Sequence, residues 1–439
     1  MSYKETCEYL FKRVANFEQH GASGYKEGLD GILAIDEHLG HPHRKFRSIH
    51  VAGTNGKGSV SHTLAAQLQV CGYKVGLYTS PHIADFRERI RVNGACIPEE
   101  YVVHFIESQR DFYEPLKLSF FEVTTAMAFQ YFCDQNVDIA VIEVGLGGRL
   151  DSTNIITPIL SIITNISMDH MQLLGNSLEQ IATEKAGIMK PGVTCIIGEA
   201  TPETHAVFDA VAAETGTPLI YAEEPVELES ATPFDDFQGM SYRTIHGYEF
   251  KGELCGLYQV KNTNTILYAL YELMKMGYLC DCEIESNKKI IEDEMTYAFM
   301  NVTKITGLMG RWQKVGEHPT TVCDTGHNPG AWEYLSKQLN AVKCKKLRII
   351  YGILEDKDIY SVMSILPKQA QYYWTKGTTK RAFSESSLKI FGEQFGLQGE
   401  CYPNAEAAYK AAIKDADPED FIFIGGSTYV VADFLKTRI

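Results

Sequence analysis

The segment Gly53-Thr54-Asn55-Gly56-Lys57-Gly58-Ser59 places three glycines, one lysine and two hydroxyls within seven residues. That composition suits phosphate. Glycines let backbone N–H groups turn toward phosphate oxygens, and a helix N-terminus adds favourable partial charge. An apolar run, Ser48 to Ala52, precedes the segment, and after it Val60, Leu64 and Leu68 recur every four residues until Gly72. The context is therefore strand, loop, helix, as a phosphate-binding loop requires, with Lys57 reaching the terminal phosphates. Gly58 separates Lys57 from Ser59, so the strict Walker pattern is not met, and a glycine-rich turn is the plain alternative.

Other chemistry-bearing residues follow further apolar runs. Glu143 lies inside Ile139 to Val144, where an ionised carboxylate needs a partner. Magnesium on a nucleotide is one candidate, and Arg149 is the other. Asp169-His170 follows Ile159 to Ile166, at the strand end where open α/β sheets bind ligands. It shares that edge with Ser59, Ser80 and Glu143, which points His170 toward metal or phosphate. Gly145-Leu146-Gly147-Gly148 is not a dinucleotide fingerprint, because Leu150 stands where a third glycine is needed. Lys185, near the end of an amphipathic stretch from Leu178 to Gly187, reads from its residues alone as a solvated cation at a helix C-terminus. In the second half Asp324, His327 and Asn328 follow Thr321 to Cys323, with Arg311 just upstream. They suit either contacts from a second domain to a nucleotide bound by the first, or a polar turn capped by Asn328.

The elements that must position these groups form an α/β pattern. Short apolar runs at Ser48–Ala52, Lys74–Thr79, Ile139–Val144, Ile159–Ile166 and Thr194–Gly198 suit a mainly parallel sheet buried on both faces. Runs at Thr321–Cys323, Leu347–Ile353, Tyr372–Thr375 and Phe421–Ile424 suggest a smaller, Rossmann-like α/β domain. The expected division is 1–300 and 301–439. Glu223 to Lys251 reads as a β-rich excursion at the edge of the first sheet. Arg87 to Ile97 reads as a hairpin turning at Asn93-Gly94. Its three arginines are either a solvated edge or positive charge for an anionic substrate.

The 439 residues carry a net charge of −15, from 41 basic and 56 acidic side chains. That argues against a nucleic-acid partner. No apolar run is long enough to span a bilayer, and the N-terminus has no signal-like core, so a cytoplasmic protein without a membrane partner is expected. Eleven cysteines are scattered, with only Cys280 and Cys282 close together. They are expected to be mostly reduced core residues rather than zinc ligands.

Taken in order, these segments resemble the folylpolyglutamate synthase and dihydrofolate synthase family of the Mur ligase superfamily. The resemblance runs from the phosphate loop through Tyr78-Thr79-Ser80-Pro81-His82, Phe120-Phe121-Glu122, Glu143 to Gly148, Leu150 to Asn154, Asp169-His170 and Glu184 to Ile188. It continues through Tyr258-Gln259 with Asn262, Gly310-Arg311-Trp312, Asp324 to Pro329 and Gly425-Gly426-Ser427. It implies an ADP-forming ligase that joins L-glutamate to dihydropteroate or folyl-glutamates through an acyl phosphate. Thr54, Asn55, Gly56, Lys57, Gly58 and Ser59 would hold the ATP phosphates. Ser80, Glu143 and His170 would hold magnesium, as two ions, and Lys185 would be carbamylated. Asn262, Arg311 and Asp324 would meet the nucleotide. Ser119, Phe120, Phe121, Glu122, Leu150, Asp151 and Ser152 would line the folate or pteroate site. Only 52 residues precede Gly53, too few for the extra domain of the cell-wall ligases, so a nucleotide-sugar substrate is not expected. A monomer is expected because one chain supplies the site. Another acid–amino-acid ligase of the superfamily is the rival within enzymes, and a nucleotide switch is the rival from another class.

Overall fold

Continuous apolar runs bounded by glycine and polar residues form strands buried on both faces. The structure, a computed structural model, describes residues 1–13, 28–234, 238–279 and 287–438. Cys280 and Cys282 lie outside the described residues. The chain divides into two compact units.

The first unit comprises Met1–Phe234, Gly239–Glu253 and Gln259–Leu308. Its main sheet contains β1 (Arg47–Ala52), β2 (Val75–Tyr78), β3 (Ile90–Val92), β4 (Ala95–Cys96), β5 (Ile139–Glu143), β6 (Leu160–Ile163), β7 (Cys195–Ile197) and β8 (Leu219–Tyr221). The order across the sheet is β4-β3-β2-β5-β1-β6-β7-β8. From β2 to β8 every pairing is parallel. The carboxyl ends of β2, β5, β1 and β6 therefore share one edge. The helix Lys57–Val70 is buried from Gly58 to Leu68. One apolar core gathers around the helix Phe120–Asp134. A second gathers around Ile163, Ala182 and Phe208.

At the sheet's antiparallel end, Val92 pairs with Ala95 across Asn93-Gly94. Both turn residues have positive φ, 47° and 78°, as a two-residue hairpin turn requires. The expected strand from Arg87 begins instead as a 3₁₀ turn, Phe86–Arg89, held by a capping box between Asp85 and Glu88. This shifts the side-chain phase. Arg87 binds Asp85, whereas Arg89 and Arg91 are buried. The three do not form one solvated face. Glu223 to Lys251 does not extend the main sheet either. It builds a separate antiparallel sheet of β9 (Leu228–Pro233), β10 (Met240–Thr244) and β11 (Glu249–Gly252).

The second unit comprises Asp235–Gln238, Leu254–Tyr258 and Met309–Ile439. Its sheet contains β12 (Gln313–Glu317), β13 (Thr320–Cys323), β14 (Leu347–Tyr351), β15 (Gln371–Trp374), β16 (Gln398–Cys401) and β17 (Phe421–Gly425), in the order β12-β13-β17-β14-β15-β16. All but the edge strand β12 run parallel. Aromatic side chains fill the core, with Trp332 edge-on to Tyr351 at 5.5 Å and Tyr372 stacked on Trp374 at 4.6 Å. The units part after Leu308 rather than after residue 300, because the short helix Val302–Thr306 packs with the helix Lys57–Val70.

The nine described cysteines are all free thiols. Only Cys195, Cys255 and Cys323 are buried, so most of the described set lies at intermediate depth rather than in the core. Among the described residues, no helix is long and apolar enough to cross a membrane.

Gly187 fixes how the helix Leu178–Ala186 ends. A Cβ at this position would lie 2.4 Å from the Cα of Arg149. Gly187→Ala should therefore destabilise the first unit by about 1–3 kcal/mol, the range for overpacking. Urea unfolding followed by fluorescence measures this, and an unchanged midpoint would refute the close packing.

Candidate active site

The loop after β1 is shaped by positions that exclude side chains. Gly53 has φ 144°, and a Cβ there would lie 1.9 Å from Thr164 Oγ1. Gly56 has φ 83°, and its Cβ would meet Asn262 Oδ1 at 2.3 Å. Residues just beyond β6 anchor the loop. Thr54 N donates to Asn165 O at 2.9 Å, and Asn55 N donates to Asn165 Oδ1 at 2.9 Å. The Thr54 hydroxyl donates to Ser167 O at 3.2 Å. At the helix start, the Gln259 amide donates to Ser59 Oγ at 3.1 Å and accepts from Asn262 at 2.8 Å.

Two ammonium groups meet at this loop. Lys57 Nζ donates to Gly53 O at 3.0 Å and to Thr54 O at 3.2 Å. Lys185 Nζ also donates to Gly53 O at 3.0 Å. Lys185 is buried, not solvated. Burial first, and then repulsion from Lys57, brings its pKa down to about 7, against the opposing pull of Asp169, Asp151 and Glu184. Desolvation always disfavours the charged form, so a large fraction is neutral amine near neutral pH.

Glu143 ends β5 and is buried, with its Oε2 accepting from Ser80 N at 3.1 Å. Arg149 instead binds Glu184 at 2.8 Å, in a partly exposed pair. His170 follows the buried Asp169, and its backbone is left-handed at φ 51°. Its N–H donates to Asp169 Oδ1 at 2.8 Å, and its ring Nε2 lies 3.9 Å from Asp169 Oδ2. Carboxylate and hydroxyl donors beside a phosphate loop fit magnesium, which takes few protein ligands and completes its shell with phosphate and water. The set does not close a cage by itself. Among the described residues, the His, Cys, Asp and Glu atoms that converge in threes within 4.8 Å are those of Asp36, His41 and His43.

Ser119 caps the helix Phe120–Asp134 in a reciprocal box with Glu122. The Phe121 ring faces Gly145, where a Cβ would lie 2.4 Å from its Cζ, and lies 5.8 Å from the Tyr78 ring. Phe120 lies 5.1 Å from the Phe11 ring and under the Arg89 guanidinium. Leu150 is half-buried, while Asp151 and Ser152 are buried. Asp151 accepts from Leu146 N at 2.9 Å and from Thr153 N at 3.0 Å. Burial raises its carboxyl pKa and these hydrogen bonds oppose the rise. His50, fully buried on β1, reaches Thr153 Oγ1 at 2.9 Å. Asn165, Ser167 and His50 carry no motif, and Thr153, inside the segment Leu150 to Asn154, has no site role among the sequence expectations.

Within the second unit, Asp324 is buried at the end of β13. It accepts from Trp312 N and Gly326 N, each at 2.8 Å, and from the Tyr258 hydroxyl. Burial raises its carboxyl, with Arg311 the main opposing influence. Arg311 donates to Gly310 O at 3.1 Å and to Thr325 Oγ1. His327 Nδ1 lies 3.1 Å from Thr325 O. Asn328 caps the helix Pro329–Ala341, accepting from Ala331 N at 3.0 Å.

Comparison with known proteins finds matches in both halves of the chain. Residues 51–270 match the Mur ligase middle domain, and residues 310–428 match the Mur ligase glutamate ligase domain. The folylpolyglutamate synthase of Lacticaseibacillus casei is 31% identical, over 100% of this chain and 99% of its own length. A probable bifunctional folylpolyglutamate synthase/dihydropteroate synthase of Haloferax volcanii is 30% identical over 100% of this chain, which spans 50% of that protein. The solved structure of E. coli FolC in complex with DHPP and ADP superposes with a TM-score of 0.81 at 30% identity, covering 100% of this chain and 98% of that one. A bifunctional folylpolyglutamate synthase/dihydrofolate synthase with Mn, AMPPNP and L-glutamate bound also gives 0.81, at 27% identity and with the same coverage.

Glu143→Gln keeps the shape and removes the charge that would attract a divalent ion. It should raise the magnesium concentration needed for tight ADP binding by at least roughly tenfold, since losing even an outer-shell partner has that effect. Titrating magnesium against nucleotide fluorescence checks this, and superimposable curves would give Glu143 a structural role only.

Proposed function

The chain belongs to the folylpolyglutamate synthase and dihydrofolate synthase family of the Mur ligase superfamily, and we propose that it uses ATP to join L-glutamate to dihydropteroate, to reduced folyl-glutamates, or to both. The observation that carries this reading is the meeting of a phosphate loop, a buried lysine and a buried glutamate at one sheet edge. A carboxylate is a poor acyl donor. Transfer of the terminal phosphoryl group from ATP to the acid gives an acyl phosphate and ADP. The glutamate amine then attacks the acyl carbon, the bond to phosphate breaks, and the amide forms with loss of the amine proton.

The residues divide this work. Thr54 to Ser59 would hold the phosphates, with Lys57 leaving its carbonyl partners to offset charge in phosphoryl transfer. Ser80, Glu143 and His170 would hold magnesium, as two ions. Magnesium, when bound, neutralises charge on the transferring group. Ser119, Phe120, Phe121, Glu122, Leu150, Asp151 and Ser152 would meet the pteridine-bearing acid. Asn262, Arg311 and Asp324 would meet the nucleotide, with His327 and Asn328 toward nucleotide or glutamate. Asn328 would do this while capping its helix. The first domain would thus carry the ATP and folate sites, and the second would add glutamate and nucleotide contacts. One chain suffices for such a site, so the protein would act as a monomer in the cytoplasm.

Lys185 would act as a carbamate. Its neutral amine attacks CO2, a C–N bond forms, and a proton is released. The product is an anion where the free lysine could only be a cation or neutral. A pKa brought to about 7 favours the first step, because the amine is mostly protonated only below that value.

The test is glutamate-dependent phosphate release by the purified protein, with dihydropteroate and tetrahydrofolyl-glutamate assayed separately. Phosphate release that ignores both acids would overturn the reading in favour of a nucleotide switch. Lys185→Ala should lose most activity and regain part of it with added short carboxylic acids. Lys185→Arg should stay inactive, because a guanidinium keeps its charge. Enzyme stripped of CO2 should recover faster at pH 8 than at pH 6 when the dissolved CO2 concentration is held equal, because more of the amine is then neutral. Equal recovery, or an active arginine variant, would return Lys185 to an ordinary ammonium.

A further inference from the structure

The segment that leads into β1 carries a second cluster of ligating groups, away from the phosphate loop. Asp36 lies near the end of the helix Asp30–His38, and its carboxylate is buried. Asp36 Oδ2 lies 2.7 Å from His41 Nδ1, and Oδ1 lies 2.6 Å from His43 Nδ1. Burial alone would raise this carboxyl, but the bonds to His43 and His41 hold it below the usual carboxylate range. An ionised carboxylate only accepts, so both imidazoles present Nδ1–H to it.

The three groups are fixed in place before any ion arrives. His41 N donates to Asp36 O at 2.8 Å, Gly40 N to Glu37 O at 3.0 Å, and Arg44 N to His41 O at 3.1 Å. His41 takes a left-handed backbone at φ 58°, and Pro42 then opens a 3₁₀ turn that carries His43. The His43 side chain is only 10% exposed and that of Asp36 3%, whereas that of His41 is 37% exposed and leaves a way in from solvent. Two imidazoles and one carboxylate form an N,N,O set that suits zinc and its neighbours, not magnesium.

We propose that Asp36, His41 and His43 form a binding site for a divalent transition-metal ion, zinc foremost, which clips the end of the helix Asp30–His38 to the turn before β1. Each neutral imidazole would ligate through Nδ1 and carry its remaining proton on Nε2, so no net proton need leave. Tetrahedral zinc bonds of about 2.0–2.2 Å place neighbouring donors about 3.3–3.5 Å apart, so the donors must spread by about 0.6–0.8 Å from their hydrogen-bonded spacing. Water on the His41 side would complete four-coordination. The ion is structural here, since neither the phosphate loop nor Lys185 belongs to the set.

The test uses untagged, chelator-stripped protein with saturating magnesium and ADP, so that the nucleotide site is filled. Zinc is titrated calorimetrically, and cobalt is titrated by visible absorption. We expect one zinc per chain, a nitrogen- and oxygen-ligated cobalt spectrum, and a higher Tm with zinc, because a ligand that binds only the folded state stabilises it. His41→Gly removes a ligand and relieves the left-handed backbone, so its folding is not at stake. It should weaken zinc by at least roughly tenfold and abolish the Tm shift. Asp36→Asn should do the same, and Glu143→Gln should leave zinc binding intact. A thiolate charge-transfer band, equal affinity in His41→Gly, or no stoichiometric binding would each overturn the site and leave a hydrogen-bonded triad.

Discussion

A buried ammonium must find acceptors, and at the centre of the first unit Lys185 finds one in the carbonyl of Gly53. Much of the local architecture answers to that contact. Gly53 carries no side chain because Thr164 occupies the space. Its carbonyl therefore turns toward two lysines, one from its own loop and one from a helix that starts more than a hundred residues later. That helix comes close through two further glycines. At Gly148 a Cβ would strike the carbonyls of Glu184 and Lys185, and at Gly187 it would strike the backbone of Arg149. Three small residues from three segments thus set the depth of one cation. That depth, with Lys57 beside it, sets the amine's charge.

The arrangement also explains why so many polar groups gather at one edge. Parallel strands β2, β5, β1 and β6 end in register, with Val51 opposite Glu143. Each strand then releases a short polar segment into the same space. Loops anchored through their own backbone N–H groups, as Thr54 and Asn55 are to Asn165, hold their donors with little conformational freedom left to lose. Preorganised donors suit chemistry in which charge builds up on a transferring group.

Much of this was legible in the chain. The parallel strands were visible because sheets covered on both faces need uninterrupted apolar runs, and Ile139 to Glu143 is such a run with one charge at its end. Asn93-Gly94 foretold its hairpin because few residue pairs accept two positive φ values. Lys185 was misread from local pattern. A lysine in the last turn of an amphipathic helix is usually solvated, and the close backbone approaches at the distant Gly148 and the adjacent Gly187 make it otherwise. The solvated-edge alternative for Arg89 failed for a related reason, since one 3₁₀ turn reset the alternation on which an outward placement depended. The segment from Glu223 to Lys251 carried strand signals without a partner, and partners are what a single sequence states least directly. The pairing of His50 with Thr153 gave no signal because a buried hydrogen bond between distant residues leaves no periodicity.

The free thiols bear on the protein's chemical temperament. Burial raises the pKa of Cys7, Cys96, Cys133, Cys195, Cys323, Cys344 and Cys401 above that of an ordinary thiol. Since the thiolate is the reactive species, these side chains are poor nucleophiles at neutral pH despite their number. A chain with this many sulfurs is therefore slow to alkylate or oxidise at those seven positions. A cysteine engineered onto its open surface would stand out against them, offering a selective point for attaching a fluorophore or spin label.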